Sequence, residues 1–289
     1  VISAANCKRM SPIGNLPISG AGGSRPKFGG VCPTGGVLLH TAPAHLPESA
    51  PARWPARLDL AQSVSGLLLA LFMWGHMLFV SSILLGKDAM WAVTKFFEGY
   101  FFLGEAHPWI VSVVVAVVFV LFVAHAALAL RKIPADYRQH AAFRLHMRAM
   151  RHGDTTLWYW QVVTGFALFF LASAHLWQML MHPADIGPFG SAYRVWSQGL
   201  WPFYLVMLFA VEIHGGVGLY RLAVKWGVFD GPDAARSRRR LREAKWAITA
   251  FLVALGLASL AAYVRIAVEY SPAYGERYVP AWVQEGAAP

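Results

Sequence analysis

The chain has 289 residues, 57% of them hydrophobic and only 14% charged, a balance too apolar for an ordinary soluble domain. A formal net charge of +10 invites a nucleic-acid reading, but most of the arginines and lysines fall between apolar runs, where they report membrane topology. The two cysteines, Cys7 and Cys32, have no cluster-binding spacing and there is no GxGxxG fingerprint, so an iron-sulfur or flavin centre of its own is excluded.

Residues 1–55 are rich in Gly, Pro, Ser and Ala without periodicity or the continuous apolar core of a signal peptide; they read as a disordered or loosely packed extension. Five apolar runs follow, each long enough for the roughly 20 residues that cross a bilayer as helix. The first spans about Leu58 to Leu85 and is closed by Gly86 and Lys87. The second, about Trp109 to Leu130, starts after Pro108 and stops at Arg131 and Lys132. The third, about Thr155 to Met181, has Asp154 as its expected N-cap and Pro183 as its stop. The fourth covers about Trp201 to Trp226, with Pro202 in its first turn, and the fifth about Lys245 to Ile266. The fold class is all-α: a polytopic five-helix membrane domain over residues 56–270, followed by a tail at 271–289.

Loop charge sets the orientation. Arg131, Lys132, Arg138, Arg144, Arg148 and Arg151 lie between spans two and three, and Arg236, Arg238, Arg239, Arg240 and Arg242 between four and five. The connection between spans three and four holds only Arg194, which places the N-terminus in the cytoplasm and the C-terminus outside. The stretch "ARSRRRLREAK" has no accompanying recognition fold, so a basic juxtamembrane loop is preferred over nucleic-acid binding.

Of eleven histidines, four lie deep in spans: His76, His125, His175 and His214. Ionisable groups at such depth are expensive and point to function. His125 precedes Arg131 by six residues and His214 precedes Arg221 by seven, which puts both about 10 Å from the inner boundary. His76 precedes Gly86 by ten and His175 precedes Asp185 by ten, about 15 Å from the outer boundary. Two cross-helix pairs at two depths suit two b-type haems, each iron held between two imidazoles. Histidines that merely hydrogen-bond across helices are the competing reading, and four in depth-matched pairs weigh against it. A zinc or copper site is disfavoured because one-helix i, i+4 histidines are absent.

Gly75, Gly215, Gly216 and Gly218, beside His76 and His214, are expected to let a flat ring approach the backbone. At the inner boundary Gln62, Ser63, Trp158 and Lys225 are candidates to bind haem propionates, and at the outer one Arg194. Interfacial anchoring by Trp158 and snorkelling by Lys225 explain those residues equally well at this point.

The strings "GHMLFVSSILLG", "AHAALALRK", "MRHGDTTLW", "TGFALFFLASAH" and "LFAVEIHGGVGLYRLAVKWGVFDG" together resemble the dihaem cytochrome b subunit of quinol:fumarate reductases, in the succinate:quinone oxidoreductase superfamily. The likeness covers about Ala56 to Val268. It implies that His76 with His175 ligate a distal haem and His125 with His214 a proximal one. It also implies that Gln62, Ser63, Trp158 and Lys225 serve the proximal propionates and Arg194 a distal one. Glu98 matches a glutamate that takes protons from menaquinol, although by pattern alone it reads as a surface acid on an interfacial amphipathic segment. Glu212 matches a glutamate proposed to carry protons through the membrane.

The resemblance further implies a flavoprotein subunit and an iron-sulfur subunit docked on the cytoplasmic face, a dimer of such heterotrimers, and location in a bacterial inner membrane. Menaquinol would be oxidised in this subunit and electrons passed inward for fumarate reduction. Moving one charge across the potential takes about 2.3 kcal/mol per 100 mV, which an accompanying proton cancels. Succinate oxidation by a similar anchor is one alternative, and a haem-free His/Glu proton-relay transporter is another. Finally, residues two apart on a helix point about 200° away from each other, so Glu212 and His214 are expected to face different surroundings.

Overall fold

The computed structural model describes residues 53–133, 136–150 and 153–286. The expectations for residues 1–52 and for Cys7, Cys32 and Arg151 lie outside the described residues. Helix α1 runs over Trp54–Val80 and continues as a 3-10 turn, Ser81–Leu85, so it begins inside the stretch read as extension. Next come α2 (Lys87–Phe97), α3 (Tyr100–Leu103), α4 (Pro108–Leu130), α5 (Tyr137–Met150) and α6 (Gly153–Met181). A short α7 (Pro188–Ala192) runs into a π turn, Tyr193–Ser197, and is followed by α8 (Trp201–Trp226), α9 (Ala234–Tyr270) and α10 (Ala281–Gly286). No strand forms among the described residues.

Among the described residues five helical segments are long and apolar enough to cross a membrane: Trp54–Leu85, Pro108–Leu130, Gly153–Met181, Trp201–Trp226 and Ala234–Tyr270. Their outer surfaces are greasy, with Val120 71% exposed and Phe166 59% exposed, as lipid-facing side chains are. Proline opens α4 and α8 within the first turn, where its missing N–H breaks no helical bond. Asp154 differs from its expected capping role. It lies within the first turn of α6, where its carboxylate accepts from the Tyr220 hydroxyl at 3.0 Å and from Arg242 at 3.4 Å.

Helices α1, α4, α6 and α8 form a ring: α1 packs on α4, α4 on α6, α6 on α8, and α8 on α1. Helix α9 lies outside that ring against α8 and α1. Small residues allow the approach. A Cβ at Gly256 of α9 would fall 2.5 Å from Leu208 and 3.0 Å from Met77, so this glycine serves packing within the chain.

The ends of the bundle differ. The arginine-rich connections share one face, called the basic face below. At the opposite face α2 is overlaid by the tail: Trp91 meets Trp282 with ring centres 5.5 Å apart, and the Lys87 ammonium sits 3.3 Å from the centre of the Tyr270 ring. The Tyr278 hydroxyl donates to Asp88, and burial together with that carboxylate pushes its phenol up to about 12.

Candidate functional site

The ring helices enclose a continuous cavity of about 1180 Å³, above the roughly 300–1,000 Å³ of common ligand pockets. All four span histidines line it, one from each ring helix. They meet in two pairs. The ring centres of His125 and His214 are 6.5 Å apart, and those of His76 and His175 are 6.1 Å apart. The pairing by depth, read from the sequence, is the pairing the fold makes.

The pair nearer the basic face is held by hydrogen bonds. The His214 Nδ1–H donates to the Gln161 carbonyl at 2.9 Å, since a carbonyl can only accept. Ser65 Oγ spends its proton on the Gln62 carbonyl at 3.1 Å and therefore accepts from the His125 Nδ1–H at 3.0 Å. Both rings thus carry their proton on Nδ1, which leaves the Nε2 lone pair available as a ligand. The other pair is held by packing: Phe72 stacks on His76 at 5.9 Å, and Tyr204 meets His175 edge-on at 5.8 Å. His175 Nδ1 is buried without a hydrogen-bond partner among the described residues.

The glycines beside the histidines divide into two groups, which corrects the sequence reading. Gly75, Gly215 and Gly218 border the cavity, but Gly216 does not. A Cβ at Gly216 would fall 2.5 Å from Thr249 Oγ1, so this glycine admits α9. Two glycines that the sequence reading missed touch the imidazoles themselves. A Cβ at Gly66 would lie 2.9 Å from the His125 ring, and one at Gly165 would lie 2.8 Å from the His214 ring. The signal was available, because Gly66 precedes His76 by ten residues and Gly165 precedes His175 by ten. Helices α1 and α6 thus repeat one pattern, with an imidazole at one level and bare backbone at the other.

The candidate propionate contacts all line the cavity: Gln62, Ser63, Trp158 and Lys225 near the basic face, and Arg194 near the other. Lys225 donates to Ser63 Oγ at 3.0 Å and pairs with Asp59, and Asp59 pairs also with Lys132. The sequence reading used Lys132 only as a marker of topology and did not single out Asp59. Gln62 Oε1 is buried without a partner among the described residues. Trp158 packs edge-on against Phe143 of α5 at 4.7 Å. Arg194 is 6% exposed, within the π turn, and donates to the Asp185 carbonyl at 3.1 Å.

The two candidate acids lie outside the cavity lining. Glu98 is 1% exposed and pairs with Lys95 at 2.5 Å, so its reading as a surface acid is overturned. The cause is local. Helix α2 ends at Phe97 with Glu98 as its C-cap, Gly99 turns the chain with φ 81°, and the His107 N–H returns to the Glu98 carbonyl at 2.8 Å. Glu212 is also 1% exposed, and its Oε1 has no partner among the described residues. One turn to either side of it, Leu208 meets Gly256 and Gly216 meets Thr249, so Glu212 lies on the α9 side of α8 while His214 lines the cavity. Among the described residues no three His, Cys, Asp or Glu side chains converge as a metal-ion site.

Comparison with known proteins agrees in one direction. Residues 138–259 match the family model described as "Succinate dehydrogenase/Fumarate reductase transmembrane subunit". The fumarate reductase cytochrome b subunit of Wolinella succinogenes is 52% identical over 232 residues, covering 80% of this chain and 91% of the relative. The protein of the same name from Helicobacter pylori is 53% identical over 214 residues, covering 74% of this chain and 82% of the relative. Five membrane-length helices, a four-histidine cavity and this level of identity lead to one statement: the chain belongs to the fumarate reductase cytochrome b subunits, multi-pass membrane components of an enzyme complex.

Proposed function

We propose that the chain oxidises menaquinol in the membrane and passes electrons to an iron-sulfur subunit of a fumarate reductase, with His125 and His214 holding one b-type haem and His76 and His175 another. The observation that carries this reading is the spacing of the imidazoles. Two metal–imidazole bonds of about 2 Å plus the ring radii span about 6 Å, and the two pairs stand 6.5 and 6.1 Å apart in one large apolar cavity. Glycine backbone beneath His125 and His214, and a ring proton fixed on Nδ1, favour the same use. When bound, the two haems supply one-electron chemistry of their irons at two depths of the membrane.

The rest falls to the protein's own groups. Gln62, Ser63, Trp158 and Lys225 offer donors to the carboxylates of the group nearer the basic face, and Arg194 to those of the other. The basic face is assigned to the cytoplasm by its arginines, so the flavoprotein and iron-sulfur subunits dock there, in a dimer of heterotrimers in the bacterial inner membrane. Glu98, beside Lys95, accepts protons released by the quinol at the outer face. Glu212 carries a proton inward. It is enclosed on the α9 side of α8, with one carboxylate oxygen free of any partner among the described residues.

Reduced-minus-oxidised absorption of the purified complex tests the core of this reading, with two b-type signals expected. Absence of b-type absorption overturns it. Glu212→Gln is expected to lower menaquinol-linked fumarate reduction at least tenfold while artificial-donor reduction and both haem signals persist. Unchanged quinol-linked rates would remove the proton role of Glu212.

A further inference from the structure

Among the described residues four buried side-chain atoms lack a hydrogen-bond partner. Two of them, Gln62 Oε1 and His175 Nδ1, belong to residues that line the cavity. The other two, Glu212 Oε1 and Lys245 Nζ, belong to residues outside the cavity lining, on the seam where α8 packs against α9. Burying one ionisable group without a partner is costly, and two on one seam, an acid and a base not paired with each other, are more than packing requires.

Glu212, Gly216 and Tyr220 recur every four residues and so share one stripe of α8, about 12 Å long, that runs toward the basic face. Bare backbone at Gly216 admits two side chains of α9: a Cβ there would fall 2.5 Å from Thr249 Oγ1 and 3.7 Å from Lys245 Cγ. Lys245 Nζ lies 5.9 Å from the centre of the Tyr220 ring and 3.4 Å from that of Trp246. The Tyr220 hydroxyl donates to Asp154, whose side chain is 25% exposed and also receives Arg242. Proton-bearing groups therefore follow one another from Glu212 to solvent, on the side of α8 turned away from His214. Snorkelling does not account for Lys245, because a lysine that snorkels ends in water and this one is 6% exposed with its Nζ enclosed. The Trp246 ring attracts a cation but offers no site for a proton.

We propose that Lys245 is the proton-carrying group that follows Glu212 on the inward route, and that Tyr220 and Asp154 pass its proton to the basic face. This rests on the proposed proton role of Glu212 and names the exit from it. Protonated Glu212 loses its proton to the neutral amine of Lys245, with the Thr249 hydroxyl and water as relays, which leaves a carboxylate and an ammonium. The ammonium then loses one proton by way of the Tyr220 hydroxyl, which takes it up as it gives its own to the Asp154 carboxylate. Asp154 releases that proton to water beside Arg242, and Lys245 is again a neutral amine.

The test uses the intact complex in membranes, with menaquinol-linked and artificial-donor fumarate reduction measured side by side in Lys245→Met, Lys245→Arg, Thr249→Val and Glu212→Gln. Lys245→Met is expected to lower the quinol-linked rate about fivefold or more, with artificial-donor reduction and b-type absorption unchanged. Lys245→Arg is expected to fail in the same way, because a guanidinium does not give up its proton. Full quinol-linked activity in Lys245→Met, or its rescue by Lys245→Arg, overturns the proposal, the second outcome leaving Lys245 a fixed charge. Thr249→Val keeps the side-chain size and removes the hydroxyl, and is expected to slow the same rate about twofold. Should the lysine variants lose b-type absorption through misfolding, an unchanged rate in Thr249→Val overturns the route. Glu212→Gln combined with Lys245→Met is expected to lose no more than Glu212→Gln alone, since both lie on one path; multiplied losses overturn the serial order. Failure of the Glu212 reading itself would look different, since Glu212→Gln would then keep its quinol-linked rate.

Discussion

The two halves of the cavity hold their imidazoles by different means. Near the basic face, His125 and His214 each donate from Nδ1 to an acceptor fixed by the backbone or by a serine, and each leans against a glycine. Near the opposite face, His76 and His175 are held by aromatic neighbours, and His175 Nδ1 has no acceptor among the described residues. Hydrogen bonds fix tautomer and rotation together, whereas packing against Phe72 and Tyr204 fixes rotation only. The first pair is therefore organised before any group is bound. The second depends more on its occupant, and its surroundings have the adjustable polar atoms to respond, such as the Tyr204 hydroxyl 3.5 Å from Gln178.

The sharpest way to break this contrast is to fill the bare backbone. Gly66→Val and Gly165→Val place a branched side chain where even a Cβ would come within 2.9 and 2.8 Å of an imidazole. Overpacking of this kind typically destabilises by about 1–3 kcal/mol. On the proposed haem assignment, loss of the His125–His214 signal is expected in both variants with the other signal retained, as measured by haem content and reduced-minus-oxidised spectra. Equal loss of both signals would show that the two levels are mechanically coupled.

A gentler intervention removes only the acceptor. Ser65→Ala frees His125 Nδ1 at the loss of a hydrogen bond of about 0.5–1.5 kcal/mol. On the same proposal the imidazole becomes a weaker donor to a bound iron, so the reduction equilibrium of that haem should shift severalfold toward the reduced form, with no change in the other. A redox titration that showed both signals moving would refute the local character of this contact.

The smallest effect is expected in the cap of the opposite face. The Tyr278 phenol, raised from 10.0 to about 12 by burial and Asp88, holds its proton more tightly when the tail is docked. Its contribution is fully present below pH about 10, falls as pH rises, and is gone above about 12. Hydrogen exchange over residues 271–284 should show the tail loosening across that window. Tyr278→Phe should flatten the dependence, and an identical pH profile in the variant would assign the loosening to other groups.

Much of this architecture was legible in the sequence because helical rise and rotation are constants. Counting residues from the ends of the spans was enough to pair His125 with His214 and His76 with His175. The same constants would have placed Gly216 correctly. It lies four residues from Glu212 and two from His214, hence on the α9 side, and its proximity in sequence to the imidazole was misleading. The knot of Asp59, Lys132 and Lys225 was not legible. The two lysines lie 73 and 166 residues from Asp59, and no periodicity records which of the basic residues near that face meets a given acid. Glu98 fell between these cases. Amphipathic spacing exposes it, and only the turn at Gly99 and the return of His107 bury it.

The ten-residue interval from Gly66 to His76, repeated from Gly165 to His175, acts as a length standard. It fixes an axial step of about 15 Å between the two levels on opposite walls of the same cavity. Deleting one residue within it would shorten the step by about 1.5 Å and swing the imidazole about 100° around the helix, out of the cavity wall. Substitutions between the two marks only change side chains. Insertions and deletions change the ruler, and a bundle that must keep two walls in step can accept them only in both helices together.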